Sequence, residues 1–365
     1  MENIIVILSK RVVMKKATNK KKHCFDIVFE WENILARNLK CNVVCRSNFE
    51  FKFDEYCRKL YKVIPIPIYR IYNIFRFYKN QKMLMFDAST KQQDGIYNNS
   101  KYIPCLIDYF LSEENYSNFL RAYKNNLLVL VSSREVYEYL LNRGCPINIA
   151  HFPLSLPDQY LTNEIYSKEY DLIIAGRTNP LLLEYVEKYE KDYPDTKIIR
   201  RKYVNGHFLY YVSSTGEEVS CGDSREEYID LLRKSKIALY TTPGMDGTRQ
   251  DANGWNQVTP RFLEEIAAQC HIIARYPDNA DTRWYEIDKI CTSVKSYEEF
   301  KILMGRYKNE PVEFTKYREY LSKHVTSGRV EMLENILKQK ILKEARGGGV
   351  KPCNLNIVDR LGVCV

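Results

Sequence analysis

The feature that most constrains this chain is an alternation that runs, stops and then starts over. Apolar segments of strand character at Ile4 to Leu8, Cys41 to Cys45, Lys82 to Phe86, Ile103 to Ile107, Leu127 to Ser132 and Ile147 to Phe152 are interleaved with helical periodicity. Asp26 to Leu39 is the clearest amphipathic helix, and the Ser132-x-x-Glu135 spacing of a capping box announces another over Arg134 to Leu141. Over 153–169 the pattern lapses into Pro153, Pro157 and polar residues, and Asp171 to Ala175 begins it afresh. The second run predicts strands at 171–175, 196–200, 236–241 and 271–274, helices at 180–191, 225–234 and 260–269, and a hairpin around Ser213 to Glu217. Capping boxes at Ser224-x-x-Glu227 and Ser296-x-x-Glu299, and proline at the first helical position in Asn179-Pro180 and Thr259-Pro260, fix four helix starts. Continuously apolar strands separated by helices build parallel sheets covered on both faces, so the pattern predicts two successive α/β units.

Length and composition agree with that reading. The chain has 365 residues, too many for one ordinary core, and its 45% hydrophobic and 28% charged content is that of a packed protein. The longest apolar runs fall far short of a spanning helix, and Glu2 with only the short run Ile4 to Leu8 behind it does not read as a leader, so a cytoplasmic protein is expected. Eleven cysteines without a Cys-x-x-Cys pair read as reduced core thiols, and His23, His151, His207, His271 and His324 are too scattered to form a ligand set; no metal site is expected.

Charge is unevenly placed. Residues 1–160 hold 24 Lys and Arg against 15 Asp and Glu, which is the whole net excess of +9, while 161–365 are balanced at 31 against 31. The basic run Met14 to Lys22 and the aromatic, cation-studded stretch Ile64 to Lys79, with Arg70, Arg76 and Lys79, carry much of it. An anionic membrane surface is one partner such segments fit; a solvated basic face, and for 64–79 a buried core helix with charged edges, are the others. No nucleic-acid-binding motif accompanies the charge, and none is expected to bind.

Two segments in the second half carry residue types suited to a phosphorylated ligand. Asp171 to Pro180 is a buried strand running into a turn and then a helix, whose free N–H groups attract phosphate. In that turn Gly176 lets the backbone come close to a ligand, and Arg177 offers a permanently charged bidentate donor or is an exposed loop residue. Val258 to Ile273 forms a capped helix and a following strand. Arg261 sits at its start, and Glu264 and Glu265 lie about 100° apart, so only one of them can face a cleft. A carboxylate there accepts both hydroxyls of a ribose; two solvated helix carboxylates are the plainer reading. Between these segments the polar, glycine-rich loop Thr242 to Gln257 offers Arg249, Asp251, Asn256 and Gln257 as sugar-facing groups or is a solvent-exposed turn.

The order and spacing of these motifs resemble the nucleotide-binding domain of GT-B glycosyltransferases, in particular the group-1 type with bacterial polysaccharide and CgeB-like members. Such enzymes carry a Gly-Arg after the first strand of that domain and a Leu-Glu-Ala-x-Ala-x-Gly-x-Pro helix and strand. Leu263-Glu264-Glu265-Ile266-Ala267-Ala268-Gln269-Cys270-His271-Ile272 follows that pattern, with Gln269 in place of glycine, His271 in place of proline and Glu265 in place of a small residue. Asn256 stands eight residues before Glu264, where many members carry a second carboxylate. The resemblance spans roughly 125–340 and implies two Rossmann-like domains, at 1–155 for acceptor and 165–325 for donor. A C-terminal helix at 326–345 would cross back to the first domain, ahead of a tail at 346–365. It implies nucleotide binding by Gly176, Arg177, Arg261 and Glu264, and a donor-sugar loop at Arg249, Asp251, Asn256 and Gln257. The implied reaction is metal-independent sugar transfer, with no cofactor beyond the nucleotide-diphosphate sugar as co-substrate. The acceptor would be a glycan or a polyprenyl-linked one at the inner membrane face, in capsule, O-antigen or related surface-polysaccharide synthesis. A nucleotide-sugar epimerase of the same fold and a non-enzymatic polyanion-binding protein are the alternatives.

Overall fold

The computed structural model describes residues 5–11, 25–45, 47, 49, 52–53, 56, 81–87, 98–108, 111–176, 178–205, 207–222 and 224–345, and places two six-stranded sheets one after the other along the chain. The first sheet holds β1 (Ile5–Ser9), β2 (Val43–Cys45), β3 (Lys82–Asp87), β4 (Tyr102–Leu106), β5 (Val129–Val131) and β6 (Ile149–His151) in the order β2-β1-β3-β4-β5-β6. Every neighbouring pair in it is parallel. Helix α1 (Asp26–Leu39) lays Ile27, Val28, Trp31 and Leu35 against Ile5, Ile7, Leu84 and Phe86. Helices α2 (Glu113–Tyr123) and α3 (Arg134–Asn142) cover Leu106, Val129 and Val131 with Phe119, Tyr123, Val136 and Leu140. Each such fully buried aliphatic or aromatic side chain stabilises the fold by about 1.5–3 kcal/mol.

The second sheet is built from β7 (Tyr170–Ile173), β8 (Ile198–Val204), β9 (His207–Val212), β10 (Glu218–Ser220), β11 (Ser235–Thr241) and β12 (His271–Arg275), ordered β10-β9-β8-β7-β11-β12. The strands β8, β7, β11 and β12 are parallel, and β9 and β10 fold back as an antiparallel edge. Alternation along β7 sends Leu172 to one face and Ile173 to the other. Leu172 meets α4 (Pro180–Asp192) and, beyond it, α8 (Tyr297–Tyr307) through Leu182, Val186, Phe300 and Met304. Ile173 meets α5 (Arg225–Arg233) through Ile229 and Leu232, and α6 (Pro260–Ala267) packs Phe262 and Ile266 on Tyr240 and Ile272. After α7 (Ala280–Trp284) and α9 (Phe314–Ser322), helix α10 (Thr326–Ala345) returns to the first sheet, where Leu333 and Leu337 join the cluster of Ile27, Trp31 and Leu35. The C-terminal helix thus crosses back to the N-terminal domain.

Three local expectations change. The cap of α3 is Ser133, which accepts from the Val136 N–H, whereas Ser132 donates to the Leu106 carbonyl. Helix α2, absent from the sequence reading, starts at Ser112, whose side chain accepts from Asn115 N–H, so no acidic residue stands at the third helical position to announce a box. The turn at 213–217 joins β9 to β10, and β9 pairs along its whole length with β8, an edge the sequence pattern did not show. Residues 14–22 and 64–79, Arg177, and the tail with Cys353 and Cys364 lie outside the described residues.

Candidate functional site

The topology of each sheet fixes where a ligand can enter. In the second sheet the chain leaves β7 toward β8 by α4 on one face, and reaches β12 from β11 by α6 on the other. The crevice at such a switch point, beyond the carboxyl ends of β7 and β11, is where open α/β sheets take their ligands. Gly176 lies there with φ +76°, a conformation that an L side chain rarely adopts, and a Cβ on it would stand 2.7 Å from Arg261 Nη1. The Arg261 guanidinium donates to the Ala175 carbonyl at 2.9 Å and the Thr241 carbonyl at 3.4 Å, so it bridges the two strand ends. Arg201 Nη2 donates to the Gly176 carbonyl at 2.6 Å. Asn179 caps α4 beside this turn by accepting from the Leu181 and Leu182 N–H groups. Two guanidinium groups and a helix N-terminus therefore converge on one turn, an arrangement suited to a dianion. Sequence reasoning named Gly176 and Arg261 but missed Arg201, because a lone basic residue in the middle of a strand gives no periodic signal.

Neither helix carboxylate is solvated, contrary to the plainer of the two sequence readings. Glu264 is 5% exposed, and its Oε1 lies 2.7 Å from Arg225 Nη1 while Oε2 accepts from the Tyr228 hydroxyl at 3.3 Å. Arg225, the first residue of α5, also donates through Nε to Glu30 Oε2 at 3.0 Å and to the Tyr160 hydroxyl at 3.2 Å, with its guanidinium over the Tyr160 ring. Glu30 belongs to α1, so Glu264 faces the first domain through Arg225. Burial lowers the Arg225 pKa, but the Glu264 and Glu30 charges more than reverse this and hold it above its ordinary value. Burial raises the Glu30 carboxyl, and Arg225 partly offsets the rise.

Glu265 is fully buried on the other side of α6, and burial, opposed by Arg261 and reinforced by Glu264, pushes its pKa up to about 8. Arg261 Nε is 3.4 Å from its Oε1, and neither of its oxygens accepts a hydrogen bond. Gln269, where the family pattern has glycine, adopts φ +58° at the end of α6. Its side chain donates to the Glu164 carbonyl and accepts from Tyr166 N–H, tying the interdomain linker to this helix.

The loop expected to face the sugar is largely a contact between the domains. Asn256 is buried: its N–H donates to Glu135 Oε2 at 2.9 Å, its Oδ1 accepts from the Thr242 hydroxyl at 2.7 Å, and its carbonyl accepts from Asn279. Gln257 Nε2 donates to the Ser132 hydroxyl at 2.7 Å, and the Trp255 indole donates to the Leu111 carbonyl. The alternative of a solvent-exposed turn is thus overturned for Asn256 and Gln257. Arg249 and Asp251 pair with each other, with Arg249 3.7 Å from Asp108 of the first domain. A pinch point requires glycine at 244, where a Cβ would lie 2.6 Å from the Gly254 backbone. Asp281 closes the contact by capping α3 across the interface, accepting from the Ser133 hydroxyl at 2.7 Å and the Arg134 and Glu135 N–H groups at 3.0 and 2.9 Å. Burial, partly opposed by these donors, pushes the Asp281 pKa up to about 7.

On the first sheet the corresponding switch point lies between β1 and β3, where Lys10 pairs with Asp87 at 3.0 Å. Beside it Glu32 accepts from the Ser9 hydroxyl and from Arg11. Among the described residues no group of three or more His, Cys, Asp or Glu is placed to hold a metal ion, and no helix is long and apolar enough to cross a membrane.

No protein-family model matches the sequence. No curated protein matches it either. Solved structures do match. AviGT4, a glycosyltransferase involved in avilamycin A biosynthesis, superposes with a TM-score of 0.51 at 11% identity, over 93% of this chain and 98% of that one. A UDP-N-acetylglucosamine 2-epimerase gives the same TM-score at 11% identity, over 98% and 100%. For TarM of S. aureus the TM-score is 0.46 at 13% identity, over 72% of this chain and 52% of TarM, so this chain spans about half of that protein's length. With two α/β domains, their switch points at the strand ends and a C-terminal helix returning to the first domain, the chain has the GT-B glycosyltransferase fold.

Proposed function

We propose that this protein is a glycosyltransferase that moves a sugar from a nucleotide-diphosphate sugar to a glycan or polyprenyl-linked acceptor, in surface-polysaccharide synthesis at the inner membrane face. The observation that carries the reading is the second switch point, where Arg201 and Arg261 converge on the Gly176 turn next to the N-terminus of α4. A leaving diphosphate gains negative charge as the sugar departs, and fixed donors aimed at it stabilise that charge most in the transition state. Arg177 follows Gly176 in the sequence. Glu264 keeps lone pairs beyond those used by Arg225 and Tyr228, and these accept the hydroxyls of the nucleotide ribose. In this arrangement arginines take the electrostatic role of a divalent cation, so transfer is metal-independent.

The test is nucleotide release from a panel of nucleotide sugars, with and without glycan and polyprenyl-phosphate acceptors, in the presence and absence of EDTA. Release that needs an acceptor and survives EDTA is expected. Interconversion of the donor with its epimer, with no acceptor present, would assign the same site to an epimerase instead. Activity abolished by EDTA and restored by magnesium or manganese would remove the role given to the arginines.

A further inference from the structure

Arg225 is the meeting point of two buried or half-buried carboxylates that come from different domains. Its Nη1 is 2.7 Å from Glu264 on α6, its Nε is 3.0 Å from Glu30 on α1, and its side chain is 9% exposed. The Tyr160 hydroxyl donates to Glu30 at 2.7 Å, and the Tyr160 ring lies under the Arg225 guanidinium. Arg225 Nη2 is buried with no partner, so the guanidinium is oriented by these groups alone and not by backbone carbonyls. Glu264, in turn, has Arg225 and Tyr228 as its hydrogen-bonding partners, with Glu265 and Arg261 on its own helix.

We infer that Arg225 is a positioning residue for nucleotide binding: it holds the Glu264 carboxylate in place for a ribose, and Glu30 makes that hold depend on contact between the domains. The inference rests on the reading of Glu264 as the ribose acceptor. A buried carboxylate without a counter-charge turns toward another donor, which removes an acceptor from the ribose. Arg225 prevents this, and it is itself aimed by a carboxylate on the opposite domain. Nucleotide affinity and domain contact are therefore linked through one side chain that touches no ligand.

The experiment is calorimetric titration of the full chain with UDP, GDP and ADP, continued with whichever binds most tightly. Glu264→Gln weakens binding roughly 10- to 150-fold, the value of a lost charge-assisted hydrogen bond. Arg225→Ala gives a loss of about 10-fold or more, and Arg225→Lys, which keeps a cation beside Glu264, recovers part of it. Glu30→Gln weakens binding about 3- to 10-fold alone and adds nothing in the Arg225→Ala background, since its effect passes through Arg225. Circular dichroism checks each fold; Glu30→Gln, at a more exposed position, carries the test if Arg225→Ala is unfolded. Wild-type affinity in Glu30→Gln or in Arg225→Ala, or independent losses in the double variant, overturns the inference while the ribose role of Glu264 stands. A wild-type protein that binds none of the three diphosphates overturns both.

Discussion

Gly176 shows how one residue can be required twice over. Its φ of +76° costs an L side chain about 1–2 kcal/mol, and a methyl group would press on Arg261 Nη1. Gly176→Ala is therefore expected to lower stability by that amount and to weaken nucleoside-diphosphate binding by about 3- to 10-fold as Arg261 is displaced. Gly216 is the control: its φ is +72°, but a methyl group there would meet nothing within 4 Å. Gly216→Ala should lose similar stability and no affinity. If both variants bind alike, the turn does not serve the ligand. Glu265 supports a prediction of another kind. Its folded pKa, about 8, stands above the ordinary value of 4.5, so between those pH values the folded chain holds a proton that the unfolded chain has released. This contribution to stability is fully present below about pH 4.5 and is lost as pH rises through about 8. Glu265→Gln removes the titration, so melting temperatures of wild type and variant, measured from pH 5 to 9, should diverge with wild type losing ground as pH rises. Parallel curves would mean that Glu265 is ionised throughout.

At the scale of elements, what could be read in advance depended on whether the signal was local. Helix α1 was legible from end to end because its apolar stripe and both ends lie in one stretch of sequence, and the proline-marked starts of α4 and α6 carried their own cause. The edge strands were not, since β9 and the outer part of β8 expose Tyr203, Val204 and Phe208 and have no apolar alternation to show. Site residues divide in the same way. Gly176 and Glu264 stand in motifs, whereas Arg225, Arg201 and Asp281 act on partners far away in sequence, and the spacing of a single chain does not encode such pairings. Asp281 is the strongest example, because it caps a helix of the other domain. Asp281→Ala leaves the half-buried Arg134 and Glu135 N–H groups and the buried Ser133 hydroxyl without their acceptor, and donors orphaned in this way cost roughly 1–3 kcal/mol each when water does not reach them. A stability loss of about 2–5 kcal/mol is expected in urea titration, and one below about 1 kcal/mol would show that the cap is replaced by water.

On the scale of the whole molecule, the two switch points and the charge distribution describe a division of labour. Residues 161–365 bring the arginine-lined turn and are balanced in charge, so on the proposed reading its cations act locally on the nucleotide. Residues 1–160 carry the entire net excess of +9, and within them residues 1–79 hold 17 Lys and Arg against 7 Asp and Glu. A surplus of that size is not needed to bind one acceptor phosphate, but it suits a surface with many negative charges. If that surface is a bilayer, each Lys or Arg near it contributes about 1 kcal/mol, and the attraction falls off within a screening length of about 8 Å at physiological salt. Binding to liposomes containing anionic lipid should therefore weaken steeply between about 50 and 500 mM salt, and neutral liposomes should bind poorly. Replacing the lysines at 15, 16, 20, 21 and 22 by glutamine should remove most of the anionic-lipid binding. Equal, salt-insensitive binding to both kinds of liposome, or none to either, would leave the basic excess to a soluble acceptor or a solvated face.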